Sequence, residues 1–248
     1  MDYSSAKVAL VTGGSGGIGT EAAAKLSEAF SLVIVVDIKD NISDHAKALS
    51  EKYGRRFTGI KADVSSFESC TQLGKDVNRI TEGHGIDALV NNAGITRDSM
   101  FGRMDYQLWD SVIKVDLYSM FNVTRQFSEK MKERGYGRII NVSSISWRGN
   151  VGQANYASAK AGVVGFTNAL SREFARYNVT VNAISPGLVD TEILKSIPEK
   201  IMKDLIEKIP MKRLAKPEEV ADLVAFLASE KASYITGETI NINGGFFF

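Results

Sequence analysis

Thr12-Gly13-Gly14-Ser15-Gly16-Gly17-Ile18-Gly19 lies between an apolar run, Lys7 to Thr12, and an alanine-rich stretch that begins near Gly17. Glycine lets the chain turn sharply, brings backbone N–H groups close to an anion, and leaves that anion at a helix N-terminus where the macrodipole favours it. The expected local structure is strand, turn and helix, and the expected guest is a pyrophosphate. Gly14, Gly16 and Gly19 satisfy the general dinucleotide spacing, while Gly13, Gly17 and Gly19 satisfy a second one, so both sets stay open. A nucleotide-triphosphatase loop does not fit, because Thr20 and Glu21 stand where Lys and Ser or Thr would be needed.

Outward from that turn, short apolar runs alternate with longer amphipathic ones to the end of the chain. Strands are predicted at Lys7 to Thr12, Leu32 to Asp37, Arg56 to Lys61, Ala88 to Asn91, Arg138 to Val142, Val179 to Ile184 and Thr239 to Ile242. Helical patterns fall near residues 17 to 29, 43 to 53, 66 to 82, 106 to 133, 154 to 176 and 217 to 228. Such alternation is the sequence form of repeated βα units and a parallel sheet buried on both faces. With no linker, charge block or repeat to divide it, the chain reads as one doubly wound α/β domain over residues 1–248. One stretch breaks the rhythm: Pro186 to Pro217 lacks a strand and contains a helical segment from Thr191 to Ile209. An insertion after a late strand of an open α/β sheet is a natural lid, expected over 188–213. Its six cations, Lys195 among them, face five acids, which points to a solvated face and not a phosphate patch.

Composition narrows the function. A net charge of +1 lacks the basic footprint of a nucleic-acid binder. Cys70 has no partner for an intramolecular disulfide, and with only His45 and His84 beside it no Cys/His metal cluster is expected. No signal-peptide pattern opens the chain and no run of ~18 apolar residues crosses it. The expectation is a soluble, cytoplasmic protein without metal, nucleic-acid or membrane partners.

Asp37 stands eighteen positions past Gly19, at the end of the second apolar run. A carboxylate there can accept hydrogen bonds from both adenosine ribose hydroxyls and would repel the 2′-phosphate of NADP. NAD(H) is therefore favoured, with NADP(H) kept open because Lys39 can pair with a phosphate. Asp63 with Val64, and Asn91-Asn92-Ala93-Gly94, end later strands on the same sheet edge, where adenine and ribose would lie. Asp63 and the Asn pair can equally serve as turn or cap residues.

Ser143 closes the fifth strand, and Tyr156 and Lys160 follow thirteen and seventeen positions later at the start of a helix of small residues. Spacing i, i+4 puts phenol and ammonium on one helical face, so the cation is expected to lower the phenol pKa from ~10 toward neutrality. Such a phenol can protonate a carbonyl oxygen as hydride reaches the carbon, or act as base in reverse, while Ser143 holds the oxygen. Ser143 is not in a Gly-x-Ser-x-Gly elbow, and both His lie upstream, so a serine hydrolase does not fit.

Taken together, Thr12-Gly13-x-x-x-Gly17-x-Gly19, Asn91-Asn92-Ala93-Gly94, Ser143, Tyr156-x-x-x-Lys160 and Asn182-x-x-x-Pro186-Gly187 resemble the short-chain dehydrogenase/reductase family over almost the whole chain. The resemblance implies a single Rossmann-like domain of seven parallel strands and a homotetramer. It implies Ser143, Tyr156 and Lys160 as the catalytic group, Lys160 on the nicotinamide ribose, and Pro186, Gly187, Val189 and Thr191 along the nicotinamide end. Within the family, Asn92 to Asp98, Gly137 to Ser143 and Gly152 to Tyr156 look like 3-oxoacyl reductases acting on acyl carrier protein or coenzyme A thioesters. The run Trp109 to Thr124 is more like acetoacetyl-CoA reductases, and Asn150 to Gln153 more like carrier-protein enzymes. Of the two arginines those enzymes use for docking, Arg134 matches one, whereas Tyr177, beside Arg176, stands at the other.

Two departures stand out. Family members usually carry Asn where this chain has Asp116, and an ionised Asp accepts but does not donate. The substitution is read as tolerated, with a cofactor-binding member of low turnover as the rival from another class. Asp37 departs from the NADPH-using reductases, which leaves an oxidative NAD-dependent alcohol dehydrogenase as an alternative. The substrate is expected to touch Ile95, Asn150, Val151, Gln153, Leu188 and the lid, while Trp147, Met211 and Phe246 to Phe248 fall near the cleft or a subunit contact, with simple packing as their favoured role.

Overall fold

In a computed structural model, residues 7–192, 194 and 198–247 are described. The apolar runs become β1 (Val8–Thr12), β2 (Leu32–Asp37), β3 (Phe57–Lys61), β4 (Ala88–Asn91), β5 (Gly137–Val142), β6 (Val179–Pro186) and β7 (Thr239–Ile242). Strands such as β1, buried at every residue, show no polar alternation and so need cover on both faces. All seven lie parallel in one sheet, ordered β3-β2-β1-β4-β5-β6-β7. The order reverses between β1 and β4, which opens a crevice at their carboxyl ends.

Cover comes from helices on each side. On one face Ala22, Ala23 and Leu26 of α1 (Gly17–Leu26) pack with Val220, Ala221 and Val224 of α8 (Pro217–Ala228), and α2 (Ile42–Tyr53) adds Ile42, Ala46 and Leu49. On the other, Cys70, Leu73 and Val77 of α3 (Phe67–Ile80) meet Val123, Phe127 and Met131 of α5 (Ser119–Arg134). The predicted doubly wound α/β architecture is the one observed.

Three departures from the expected elements bear on the site. The helix predicted over 106–133 is divided into α4 (Tyr106–Ile113), a π-helical turn Lys114–Tyr118, and α5. A widened turn lets Asp116 face inward, where its carboxylate accepts from the Ile95 N–H at 2.8 Å. Directly after β5 a 3₁₀ turn, Ile145–Arg148, precedes α6 (Ala154–Phe174). In the lid the helix is shorter than expected, α7 (Glu199–Lys208), and residues 193 and 195–197 of the predicted segment lie outside the described residues.

At the amino-terminal edge of the sheet the strands are tied by charge. Asp87 accepts from the Val8 N–H at 2.7 Å, lies 3.0 Å from His84 Nε2, and pairs with Arg134 at 3.2 Å. Arg134 also donates to the carbonyls of Ile86 and His84. Glu230 bridges Lys7 and the buried Arg138 in the same way. Among the described residues no helix is long and apolar enough to cross a membrane.

Candidate active site

The glycine turn is shaped by what surrounds it. Gly13 has φ +63°, and a Cβ there would stand 2.9 Å from Ala93 Cα. A Cβ on Gly19 would strike the Gly13 carbonyl, and one on Gly14 would lie 2.8 Å from Val35 Cβ. Gly17 would meet only the side chain and Cα of Thr191, whereas Gly16 has room. Gly13, Gly14 and Gly19 are thus required by the chain's own packing, whereas a Cβ on Gly17 would press chiefly on the Thr191 side chain at the lid root. α1 begins at Gly17 with no side-chain cap and no acid in its first turn. Gly16 and Gly17 are exposed there, and Ile18 beside them is half-buried. Unanswered N–H groups on a glycine floor suit a diphosphate.

Asp37 reaches this turn directly. Its Oδ2 accepts from the Ser15 hydroxyl at 2.7 Å and the Ser15 N–H at 3.2 Å, while Oδ1 accepts from the Lys39 N–H. Asp63, by contrast, folds back on its own chain and accepts from the Ser65 N–H and hydroxyl, just ahead of the Ser66 cap of α3. Val64 is buried, and its carbonyl accepts from Asn122. The Asn91 amide donates to Thr124 and to Asn141, which in turn donates to Thr167. Its neighbour Asn92 is the residue whose side chain reaches the glycine turn, donating to the carbonyls of Thr12 and Gly13. Thr12 Oγ1 accepts from the Asn92 and Ala93 N–H groups, so β1 and β4 share one clasp at the crevice.

At the chemical end, Tyr156 and Lys160 leave the first turns of α6 on one side, with Lys160 Nζ 5.4 Å from the phenol ring centroid. The Lys160 ammonium donates to the Val142 carbonyl at 3.0 Å and lies 3.0 Å from Asp116 Oδ2, an ion pair outside the angular range of a hydrogen bond. Gly94 makes room for it, since a Cβ there would stand 2.8 Å from Asp116 Oδ2 and 3.3 Å from Lys160 Nζ.

Two expectations are corrected here. The Ser143 hydroxyl donates to the Lys160 backbone carbonyl at 2.9 Å and is buried, while the Ser144 hydroxyl lies within hydrogen-bonding reach of Tyr156. Ser143 still belongs to the extended chain, its N–H bonded to Ile184 of β6, and side chains alternate along extended backbone, so the next residue faces the phenol. The phenol, moreover, is pushed above its ordinary value and not toward neutrality. Burial is the main cause, Lys160 opposes it, and Asp116 adds to it. Burial also raises the Asp116 carboxyl against the pull of Lys160. For Lys160 burial works downward, yet Asp116 and Tyr156 hold the ammonium above its usual range.

The residues expected around the substrate divide into two groups. Asn150 donates to Gln153, and Gln153 to Asp98 at 2.9 Å, which latches the loop after β4 to the loop before α6. Val151 projects from that loop at 82% exposure. Leu188 packs against Ile145, Ile209 and Phe246, while Val189 is buried and pairs with Ala215 at the lid root. Gly187 donates to Ile242 and follows the buried Pro186 at the end of β6, and Thr191 abuts Gly17. A cleft of about 110 Å³ under the lid is lined by Leu188, Ile209 and Met211 among others. The two docking positions lie elsewhere, where α5 and α6 end at the amino-terminal edge. Arg134 is turned inward there, and Arg176 and Lys132 stack on Tyr177.

Two site residues escaped the sequence reading, Ser144 and Asn155, whereas Asn92 is expected on this edge without its clasp to Thr12 and Gly13. Asn155 is fully buried, donates to the Arg97 and Leu108 carbonyls at 3.0 Å each, and accepts from the Tyr156 N–H. The available signal was a short amide directly ahead of a helix-start Tyr, a position where side chains commonly satisfy free N–H groups.

Comparison with known proteins agrees with this geometry. Residues 13–247 match a family model described as enoyl-(acyl carrier protein) reductase. The chain is 48% identical to nodulation protein G of Azospirillum brasilense over 97% of its own length and 98% of that protein's. It is 45% identical to 3-oxoacyl-[acyl-carrier-protein] reductase FabG of Aquifex aeolicus over 97% of both chains. To acetoacetyl-CoA reductase of Allochromatium vinosum it is 46% identical, over 98% of this chain and 99% of the other. With the crevice, glycine turn and Tyr-Lys pair already in place on one sheet edge, the chain belongs to the short-chain dehydrogenase/reductase family.

Proposed function

We propose that the protein is an NAD(P)H-dependent reductase of 3-oxoacyl thioesters, acting on acetoacetyl-CoA or a 3-oxoacyl carrier protein to give the 3-hydroxyacyl thioester. The observation that carries this reading is the convergence of Tyr156, Lys160 and Ser144 at the carboxyl edge that also holds the glycine turn. The relatives named as 3-oxoacyl and acetoacetyl reductases support the substrate class.

The cradle fits a dinucleotide: the N-terminus of α1 from Gly17 to Gly19 would hold the diphosphate, Asp37 with Ser15 the adenosine ribose, and Asp63 with Val64 the adenine side. Asn91, Ala93 and Gly94, the ammonium of Lys160, and Pro186, Gly187, Val189 and Thr191 would line the rest toward nicotinamide. When bound, the cofactor supplies hydride to the carbonyl carbon. Ser144 donates a hydrogen bond to the carbonyl oxygen as negative charge gathers on it. Tyr156 gives that oxygen its phenolic proton, so one C–H and one O–H bond form as the C=O double bond becomes single. Lys160 faces the phenolate that remains, and Asp116 stands behind Lys160 as its counter-ion. Asp37 supports NAD(H) over NADP(H). It also motivates a second reading, an NAD-dependent secondary-alcohol dehydrogenase working in the oxidative direction with Tyr156 as base.

We place the enzyme in the cytoplasm, in keeping with its single buried thiol, and expect a homotetramer, for which exposed Phe67, Tyr118 and Phe121 offer apolar surface. The deciding experiment follows NADH and NADPH oxidation with acetoacetyl-CoA, a 3-oxoacyl carrier protein, and simple ketones or sugars. Turnover is expected on the thioesters, and activity confined to ketones or sugars would refute the assignment.

A further inference from the structure

The 3₁₀ turn that carries the chain away from Ser144 ends on a cation braced by aromatic rings. The guanidinium carbon of Arg148 is 5.1 Å from the ring centroid of Trp147 and 5.0 Å from that of Phe247. Arg148 is exposed and has no carboxylate partner among the described residues. Three of the lid cations are answered: Arg213 makes two bonds of 2.7 Å to Glu219, Lys203 pairs with Glu199, and Lys212 with Glu207. Ile145, on the same turn, packs with Ile209 and Phe246 and against Leu188 and Leu214, so this turn, the lid and the C-terminal segment meet at one rim.

An arginine held beside two rings without a carboxylate partner can offer its N–H fork to an anion, and that fork matches phosphate oxygens in pairs. Ordering the side chain in advance lowers the loss of freedom on binding. From Ser144 the turn runs about 8 Å, at roughly 2 Å per residue, before the long Arg148 side chain begins. A thioester substrate has the matching polarity, with its reacting carbonyl at one end of a pantetheine arm, amides along the arm and a phosphate ester at the far end.

We propose that Arg148, held by Trp147 and Phe247, anchors the phosphate ester of the pantetheine arm. The inference rests on the thioester-reductase reading and adds a residue that selects the substrate. That phosphate is common to coenzyme A and to a carrier protein's prosthetic group.

The test is steady-state kinetics of Arg148→Ala and Arg148→Lys with acetoacetyl-CoA, acetoacetyl carrier protein, and acetoacetyl-pantetheine, which lacks the phosphate. Arg148→Ala is expected to raise KM about tenfold for the two phosphorylated substrates, with kcat within about twofold, and to leave KM for acetoacetyl-pantetheine unchanged. Arg148→Lys keeps the charge without the fork and falls between. An equal rise for all three substrates, as a purely structural role predicts, overturns the proposal, and so does a rise with acetoacetyl-CoA alone, which would move the anion to the nucleotide end of that molecule. Wild-type inactivity on every thioester is a separate result that defeats the reductase reading itself.

Discussion

Asp116 and Lys160 form an ion pair of 3.0 Å in which neither side chain is more than 3% exposed. Burial holds Tyr156 above its ordinary value, Lys160 pulls against it, and Asp116, the buried counter-ion of that ammonium, adds to the rise. The sign for pH dependence follows. Tyr156 stays protonated to more alkaline pH, which favours its use as an acid in reduction and starves the oxidative direction of base. Asp116→Asn removes one raising cause, so the acid limb of the oxidation profile should move to lower pH. Oxidation near pH 6.5 should then quicken by about threefold or more, while Asn still accepts from Ile95. Superimposable pH–rate profiles for wild type and variant would rule out a charged pair that governs the phenol.

The two serines make a paired prediction. Ser144→Ala removes the hydroxyl beside Tyr156 and should cut kcat by about 10²–10³-fold, the usual loss for one donor to a developing oxyanion. Ser143→Ala removes only a hydrogen bond to the Lys160 carbonyl, worth about 1 kcal/mol, and should keep kcat within about tenfold. Rapid kinetics on both variants separates them, and the opposite ranking would return the role to Ser143.

Cofactor choice should follow Asp37. Its carboxylate already engages Ser15 of the glycine turn, and no second negative group is welcome beside it. The wild type should show higher kcat/KM with NADH than with NADPH, and Asp37→Ser should reduce that ratio by about tenfold or more. An NADPH preference in the wild type sinks the argument at once.

The glycines of the turn are not equivalent. Gly19→Ala drives a Cβ into the Gly13 carbonyl and should lower stability by more than about 2 kcal/mol, read as a lower urea midpoint. Gly17→Ala meets chiefly the Thr191 side chain, so stability should change by less than about 1 kcal/mol while KM for the cofactor rises several-fold. Equal destabilisation by the two would mean that the lid root is not free to shift.

Much of this could be read from one sequence because it depends on local pattern. Strand runs such as Leu32 to Asp37 are apolar at every residue but the last, so their position and their burial on both faces follow together. The glycine spacing, Asp37 and the Tyr156–Lys160 pair are likewise local. What escaped depends on contacts distant in sequence or on the phase of a single residue. Whether Ser143 or Ser144 faces the phenol turns on where the extended chain gives way to the 3₁₀ turn. Asp116 is polar in a helical pattern, and only the fold brings Ile95 and Lys160 to it. The expected direction of the phenol shift fails for the same reason: the sequence shows the cation four residues away, but not the burial of the phenol or the acid that the fold sets behind the cation.

The Asp87 tie at the amino-terminal edge divides the molecule's labours. Chemistry is gathered where the strands end, and this charged tie holds them where they begin, with the length of a strand between the two. Arg134, which joins that tie, is already committed to Ile86, His84 and Asp87, so a partner that sought it would have to pull apart the register of β1 and β4. A search for heat tolerance can therefore begin at one end of the seven strands and leave the side chains that do the chemistry, at the other end, untouched.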